Sequence, residues 1–128
     1  LLYALPGSPT LYYGDEAGME GFEDPFNRRP FPWGKEDGHL LAWFTALGKA
    51  RKELLPLRRG TLAWLPAPGQ TVAFVRSLNG ESLLTAVNAG ETPALLELPG
   101  GTDLPLLPME GQLLRQTPES TWQILLKT

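Results

Sequence analysis

The period at which apolar residues recur changes near Gly60, and this constrains the fold more than any other feature of the sequence. Between about Gly38 and Leu55, Leu40, Phe44, Leu47 and Arg51 follow the i, i+4, i+7, i+11 spacing of one helix face, with Leu41 and Trp43 widening it. Beyond Gly60 the apolar residues fall in short runs separated by turn residues. A helix face returns about every 3.6 residues and a strand face about every 2, so the change of period marks a change in the kind of element. The chain therefore divides into residues 1–57 and residues 58–128.

The second part reads as all-β. Its candidate strands are Thr61–Leu65, Thr71–Ser77, Ser82–Asn88, Ala94–Leu98, Leu104–Leu107, Gln112–Arg115 and Thr121–Lys127. Pro66-Ala67-Pro68-Gly69, Asn79-Gly80, Ala89-Gly90, Pro99-Gly100-Gly101, Glu110-Gly111 and Pro118 punctuate them. Asn79-Gly80 is the sharpest of these signals, because a type I′ hairpin turn needs positive φ at both central residues. Short strands at this spacing predict an antiparallel sandwich. Its expected core is Val72, Phe74, Leu84, Ala86, Leu95, Trp122, Ile124 and Leu126, the last three on one face by alternation.

The first part opens with Leu1 to Leu5, which reads as the last turn of a helix stopped by Pro6 and Gly7. Thr10-Leu11-Tyr12-Tyr13, bounded by Pro9 and Gly14, suits a strand buried on both faces of a parallel sheet. A long irregular segment, Gly14 to Lys35, carries Asp15, Glu16, Glu20, Glu23, Asp24, Arg28 and Arg29 among Phe22, Phe26, Phe31 and Trp33. Loops of this length in compact domains are usually functional or disordered, and the aromatics argue against disorder. Asp37 is placed to cap the helix that follows, with Pro56 ending it.

Composition narrows the partners. A net charge of −3 supplies no basic patch for nucleic acid, and Arg51, Lys52, Arg58 and Arg59 read as a solvated helix end. The absence of cysteine excludes disulfides and thiolate metal sites. One histidine, His39, does not make a zinc site, and no carboxylate spacing matches an EF-hand loop. No apolar run approaches the roughly 20 residues of a membrane helix. The opening Leu1-Leu2-Tyr3-Ala4-Leu5-Pro6 has neither Met nor a basic region, which suggests a fragment rather than a signal peptide.

The motif Gly7-Ser8-Pro9-Thr10-Leu11-Tyr12-Tyr13-Gly14-Asp15-Glu16 leads to Gly18-Met19 and then to Asp24-Pro25-Phe26-Asn27-Arg28-Arg29-Pro30-Phe31-Pro32-Trp33. This succession resembles the eighth barrel strand and following loop of the α-amylase family of glycoside hydrolases. Its Asn-Arg-Arg-Pro-Phe-Pro-Trp ending is most similar to the neopullulanase, cyclomaltodextrinase and maltogenic amylase group. The resemblance implies the last strand, long loop and helix of a (β/α)8 barrel in residues 1–57 and a C-terminal β-sandwich in residues 58–128. It also implies an α-glucan substrate, no cofactor, and the remainder of the catalytic barrel as partner. A cytoplasmic enzyme, a homodimer at full length, fits the same group.

By this resemblance Asp24 and Arg28 bind glucose hydroxyls on the non-reducing side of the scissile bond, with Phe22, Phe26 and Trp33 as cleft aromatics. The bare spacing equally allows a loop-internal ion pair at i, i+4. The family's nucleophile and acid lie on earlier strands whose motifs are missing here, so no residue of this chain is expected to be catalytic. Asp15 and Glu16 are expected to brace the barrel top, Tyr12 and Tyr13 to pack within the barrel, and His39 to begin the helix. The alternative is a stand-alone carbohydrate-binding or structural β-sandwich module. That reading requires exposed, coplanar Trp64 and Trp122.

Overall fold

The computed structural model describes residues 1–128. Strands β1 (Thr61–Leu65), β2 (Thr71–Leu78), β3 (Glu81–Asn88), β6 (Gly111–Gln116) and β7 (Trp122–Lys127) form an antiparallel sheet in the order β1-β2-β3-β6-β7. Strands β4 (Ala94–Leu98) and β5 (Thr102–Leu106) form a separate hairpin. Strand alternation gives the larger sheet two apolar faces. Ala73, Leu84, Ala86 and Leu114 on one face meet Leu96, Leu98, Leu104 and Leu106 of the β4-β5 hairpin. Phe74, Leu83 and Leu113 on the other meet Leu57 and Ala4 from the first part of the chain. Each fully buried leucine or phenylalanine contributes on the order of 1.5–3 kcal/mol by leaving water.

The sandwich is thus two unequal sheets, and its core differs from the expected one at three positions. Leu95 is exposed, because its neighbours Leu96 and Leu98 occupy the inward positions of β4. Val72 shares the face of Phe74, yet nothing covers that end of the sheet. Ile124 lies opposite Leu114, on the face that Trp122 also takes, but stands exposed on the edge strand β7, and β6 and β7 slip register between Leu113 and Leu114, which face Leu126 and Ile124 respectively. An extra residue on one strand resets the alternation. Trp122 therefore packs toward the hairpin, whereas Leu125 and Leu126 pack toward Phe74.

In the first part, helix α1 spans Gly38–Glu53, and the Asp37 carboxylate accepts the backbone N–H groups of His39 at 2.9 Å and Leu40 at 3.1 Å. The helix stops at extended Leu54, and a short α2 (Leu55–Arg59) restarts with Pro56 in its first turn, where no N–H is required. Leu1 to Leu5 close one helical turn, with Leu5 N–H donating to the Leu1 carbonyl at 3.1 Å. Thr10 to Tyr13 do not form the expected strand. A parallel strand is held by bonds to its neighbours, and no other segment of this chain supplies them. Tyr12 and Tyr13 are correspondingly exposed rather than packed.

Arg51, expected in solvent, is buried, and its guanidinium donates to the carbonyls of Tyr3, Gly7, Leu5 (3.1 Å) and Leu57 (3.0 Å). Arg76, only 1% exposed, donates to Ala4 at 2.7 Å, Gly60 at 2.9 Å and Thr61 at 3.2 Å. Burial, together with the nearby Arg51 charge, lowers the Arg76 pKa from its ordinary value. Both side chains spend their fork of N–H groups on backbone oxygens left over at element ends, which compensates the cost of burying charge. They also tie the first part of the chain to the sheet.

Candidate functional site

The loop that carries the sequence motif is pinned at both ends. A 3₁₀ turn, Asp15–Ala17, follows Gly14, whose N–H is accepted by the Glu16 carboxylate at 3.0 Å. Gly14 and Gly18 both have positive φ, and a side chain at Gly14 would collide with Met19. The hydroxyl of Tyr13 donates to the Arg29 carbonyl at 2.9 Å, closing the loop across its stem. Asp37 N–H donates to the Ala17 carbonyl at 3.0 Å, which ties the loop to the start of α1.

Between these pins, Asp24 and Arg28 form a two-point ion pair, Nε to Oδ1 at 2.9 Å and Nη2 to Oδ2 at 3.3 Å. Their side chains are 59% and 70% exposed, so the pair faces water and contributes less than about 1 kcal/mol to stability. Phe22, Glu23, Asp24, Phe26 and Arg29 surround a concavity of about 700 Å³ that opens to solvent. The Arg29 guanidinium lies 6.0 Å from the centre of the Phe22 ring, within cation–π range. Glu23 and Arg29 were read from the sequence as charges of this loop and not as substrate-binding residues. Their place in the motif beside Asp24 and Arg28 is the signal that could have added them to the site. Trp33 is 81% exposed but stacks on Phe31, at 4.6 Å between centroids, and does not line this concavity.

Chemically, the concavity offers acceptor carboxylates, a guanidinium donor and apolar ring faces. That combination suits a polyhydroxylated ring with one apolar face. His39 stands away from it, exposed in the first turn of α1. In the β part, Trp64 is 61% exposed and meets Phe74 edge-on at 5.2 Å, whereas Trp122 is half-buried with its indole N–H directed at the Pro99 carbonyl. The two tryptophans are not paired on one surface.

No family model matches the chain. Among curated proteins, the amylopullulanase of Thermoanaerobacter thermohydrosulfuricus is 48% identical over 82 residues, 63% of this chain and 6% of that protein. The cyclomaltodextrinase of Thermoanaerobacter pseudethanolicus is 32% identical over 128 residues, 94% of this chain and 22% of that protein. Among solved structures, the ligand-free cyclic α-maltosyl-(1→6)-maltose hydrolase of Arthrobacter globiformis superposes with a TM-score of 0.80 at 27% identity, covering 91% of this chain and 28% of that one. The chain thus spans a quarter or less of the curated relatives it matches. These likenesses identify it as a C-terminal part of an α-amylase-family glycoside hydrolase. Within that family its relatives include cyclomaltodextrinases, a neopullulanase and an intracellular maltogenic amylase alongside the amylopullulanases.

Proposed function

We propose that this chain forms one wall of the substrate cleft, and the C-terminal domain, of a retaining hydrolase acting on α-glucosidic bonds of maltodextrin, cyclodextrin or pullulan. In this reading residues 1–57 are the end of the catalytic barrel, residues 58–128 are the C-terminal sandwich, and the catalytic carboxylates lie in the rest of the polypeptide. Barrel active sites sit at the C-terminal ends of the strands, which is where the Gly14–Arg29 loop would leave the last one. Asp24 and Arg28 would hold glucose hydroxyls, with Phe22 and Phe26 against the apolar face of the ring.

The observation that carries this reading is the exposed two-point pairing of Asp24 with Arg28 at the rim of the Phe22–Phe26 concavity. A pair that served only the loop would gain little from standing in water. A pair that serves a ligand must keep lone pairs and N–H groups free for it, and a carboxylate and a fork of five N–H donors have that spare capacity. The test is steady-state kinetics of Asp24 and Arg28 variants in the complete enzyme, in which kcat/KM on a maltooligosaccharide should fall. The stand-alone module reading draws support from Trp64 alone, since Trp122 is committed to packing.

A further inference from the structure

Consecutive in sequence, Arg28 and Arg29 have different surroundings. The Asp24 carboxylate holds Arg28 at two points, and Arg28 does not line the Phe22–Phe26 concavity. Arg29 does line it, together with Glu23. The Arg29 side chain makes no ion pair and donates no hydrogen bond; it rests against the Phe22 ring, 6.0 Å from its centre. The Glu23 carboxylate is likewise unpaired, although it carries the opposite charge in the same concavity. Opposite charges that served only the loop would gain by meeting, as Asp24 and Arg28 do. The backbone of Arg29 is meanwhile fixed. The Tyr13 hydroxyl donates to its carbonyl at 2.9 Å, and Pro30 follows it, which restricts its φ and ψ.

We infer that Arg29 is a further substrate-binding residue, whose unused N–H fork holds hydroxyls of a sugar ring other than the one held by Asp24 and Arg28. This assignment rests on the reading of the loop as one wall of a glucan cleft. Of the two neighbouring guanidinium groups only Arg29 reaches the concavity, so the two serve different hydroxyls. A guanidinium lying against an aromatic ring is pre-positioned and keeps the N–H groups at its edge for a ligand. Glu23 adds an acceptor, and Phe22 and Phe26 add apolar faces, so the concavity suits a ring of an oligosaccharide rather than a single sugar. A ring away from the scissile bond keeps its shape through the reaction. Its contacts stabilise substrate and transition state alike, and they appear in KM rather than in kcat.

Arg29→Ala and Arg29→Lys are made in the complete enzyme and assayed on maltohexaose, with a melting curve for each. Arg29→Ala should raise KM by about five- to thirtyfold while changing kcat by less than about twofold, the loss of a charged hydrogen bond made equally in both states. Lysine keeps the charge but not the planar fork, so Arg29→Lys should recover only a small part of that loss. Both melting temperatures should stay near that of the parent, because this side chain has no polar partner in the protein to lose. An unchanged KM in Arg29→Ala would overturn the assignment. So would a loss confined to kcat, a full recovery by lysine, or a kinetic loss that tracks a lowered melting temperature. Asp24→Asn in the same assay separates the two levels. A fall in kcat/KM there beside a normal KM in Arg29→Ala removes Arg29 alone, whereas normal kinetics in both removes the cleft reading itself.

Discussion

Asp24 and Arg28 occupy each other at the surface, and the question at this scale is what else they hold. If both bind hydroxyls beside the cleavage point, their charge-assisted bonds strengthen as the ring distorts toward the transition state. In the complete enzyme Asp24→Asn or Arg28→Ala should then lower kcat/KM by roughly 30- to 1,000-fold, corresponding to about 2–4 kcal/mol. The double variant should lose less than the two single losses together, because each residue positions the other. Near-normal kinetics with a lowered melting temperature would reduce the pair to loop architecture. Glu110 makes a different demand. Burial alone would raise its pKa, but the Leu107 N–H, the Lys127 ammonium at 3.0 Å and the Gln112 amide outweigh this and hold it below the ordinary carboxylate value. A depressed folded-state pKa adds stability that is present above the unfolded-state value, about 4.3, and is lost as pH falls through the folded one. The urea midpoint of the chain should therefore drop on acidification below about pH 4.5, and Glu110→Gln should flatten that dependence while lowering the midpoint at neutral pH.

At the scale of elements, turn chemistry was the most legible feature. Asn79 and Gly80 adopt φ of 51° and 82°, as a type I′ turn demands, and they set the β2–β3 register through which Val75 faces Leu84. Gly80 has open space around the position a side chain would take, so Gly80→Ala meets no clash and costs only the left-handed backbone, about 1–2 kcal/mol. Equilibrium unfolding of that variant checks the figure; a neutral result would mean the turn does not hold the register. All the candidate strands of the second part formed, with ends shifted by a residue or two. The Thr10–Tyr13 strand did not form, for a physical reason: its residues suit a doubly covered parallel strand, and cover and ladder partners both have to come from elsewhere. Arg51 shows the same limit. It lies on the apolar stripe of α1, at the i+11 position from Leu40, yet its charge suggested water. Only the proximity of carbonyls from residues 3–7 and Leu57, distant in sequence, makes burial of a guanidinium tolerable.

On the scale of the whole molecule, the chain by itself should hydrolyse no starch, pullulan or cyclodextrin at any pH, because glycoside hydrolysis with retention needs a nucleophile and an acid that this loop is not expected to provide. Retained glucosidase activity in a rigorously purified 128-residue chain would mean that the Asp15–Asp24 carboxylates do more than bind. What the sequence determined was local: where helices cap and stop, where hairpins turn, which strands of the second part exist, and which loop carries the carboxylates, guanidinium groups and rings suited to a sugar. These follow from backbone preferences and apolar periodicity, which act over a few residues. The tertiary structure alone decided which apolar face of each strand is covered. It left Val72, Leu95 and Ile124 in water, swung Leu126 to the opposite face through a register slip, brought Glu23 and Arg29 to the concavity, and stacked Trp33 on Phe31. Burial depends on what arrives from far along the chain, and no window of neighbouring residues contains that information.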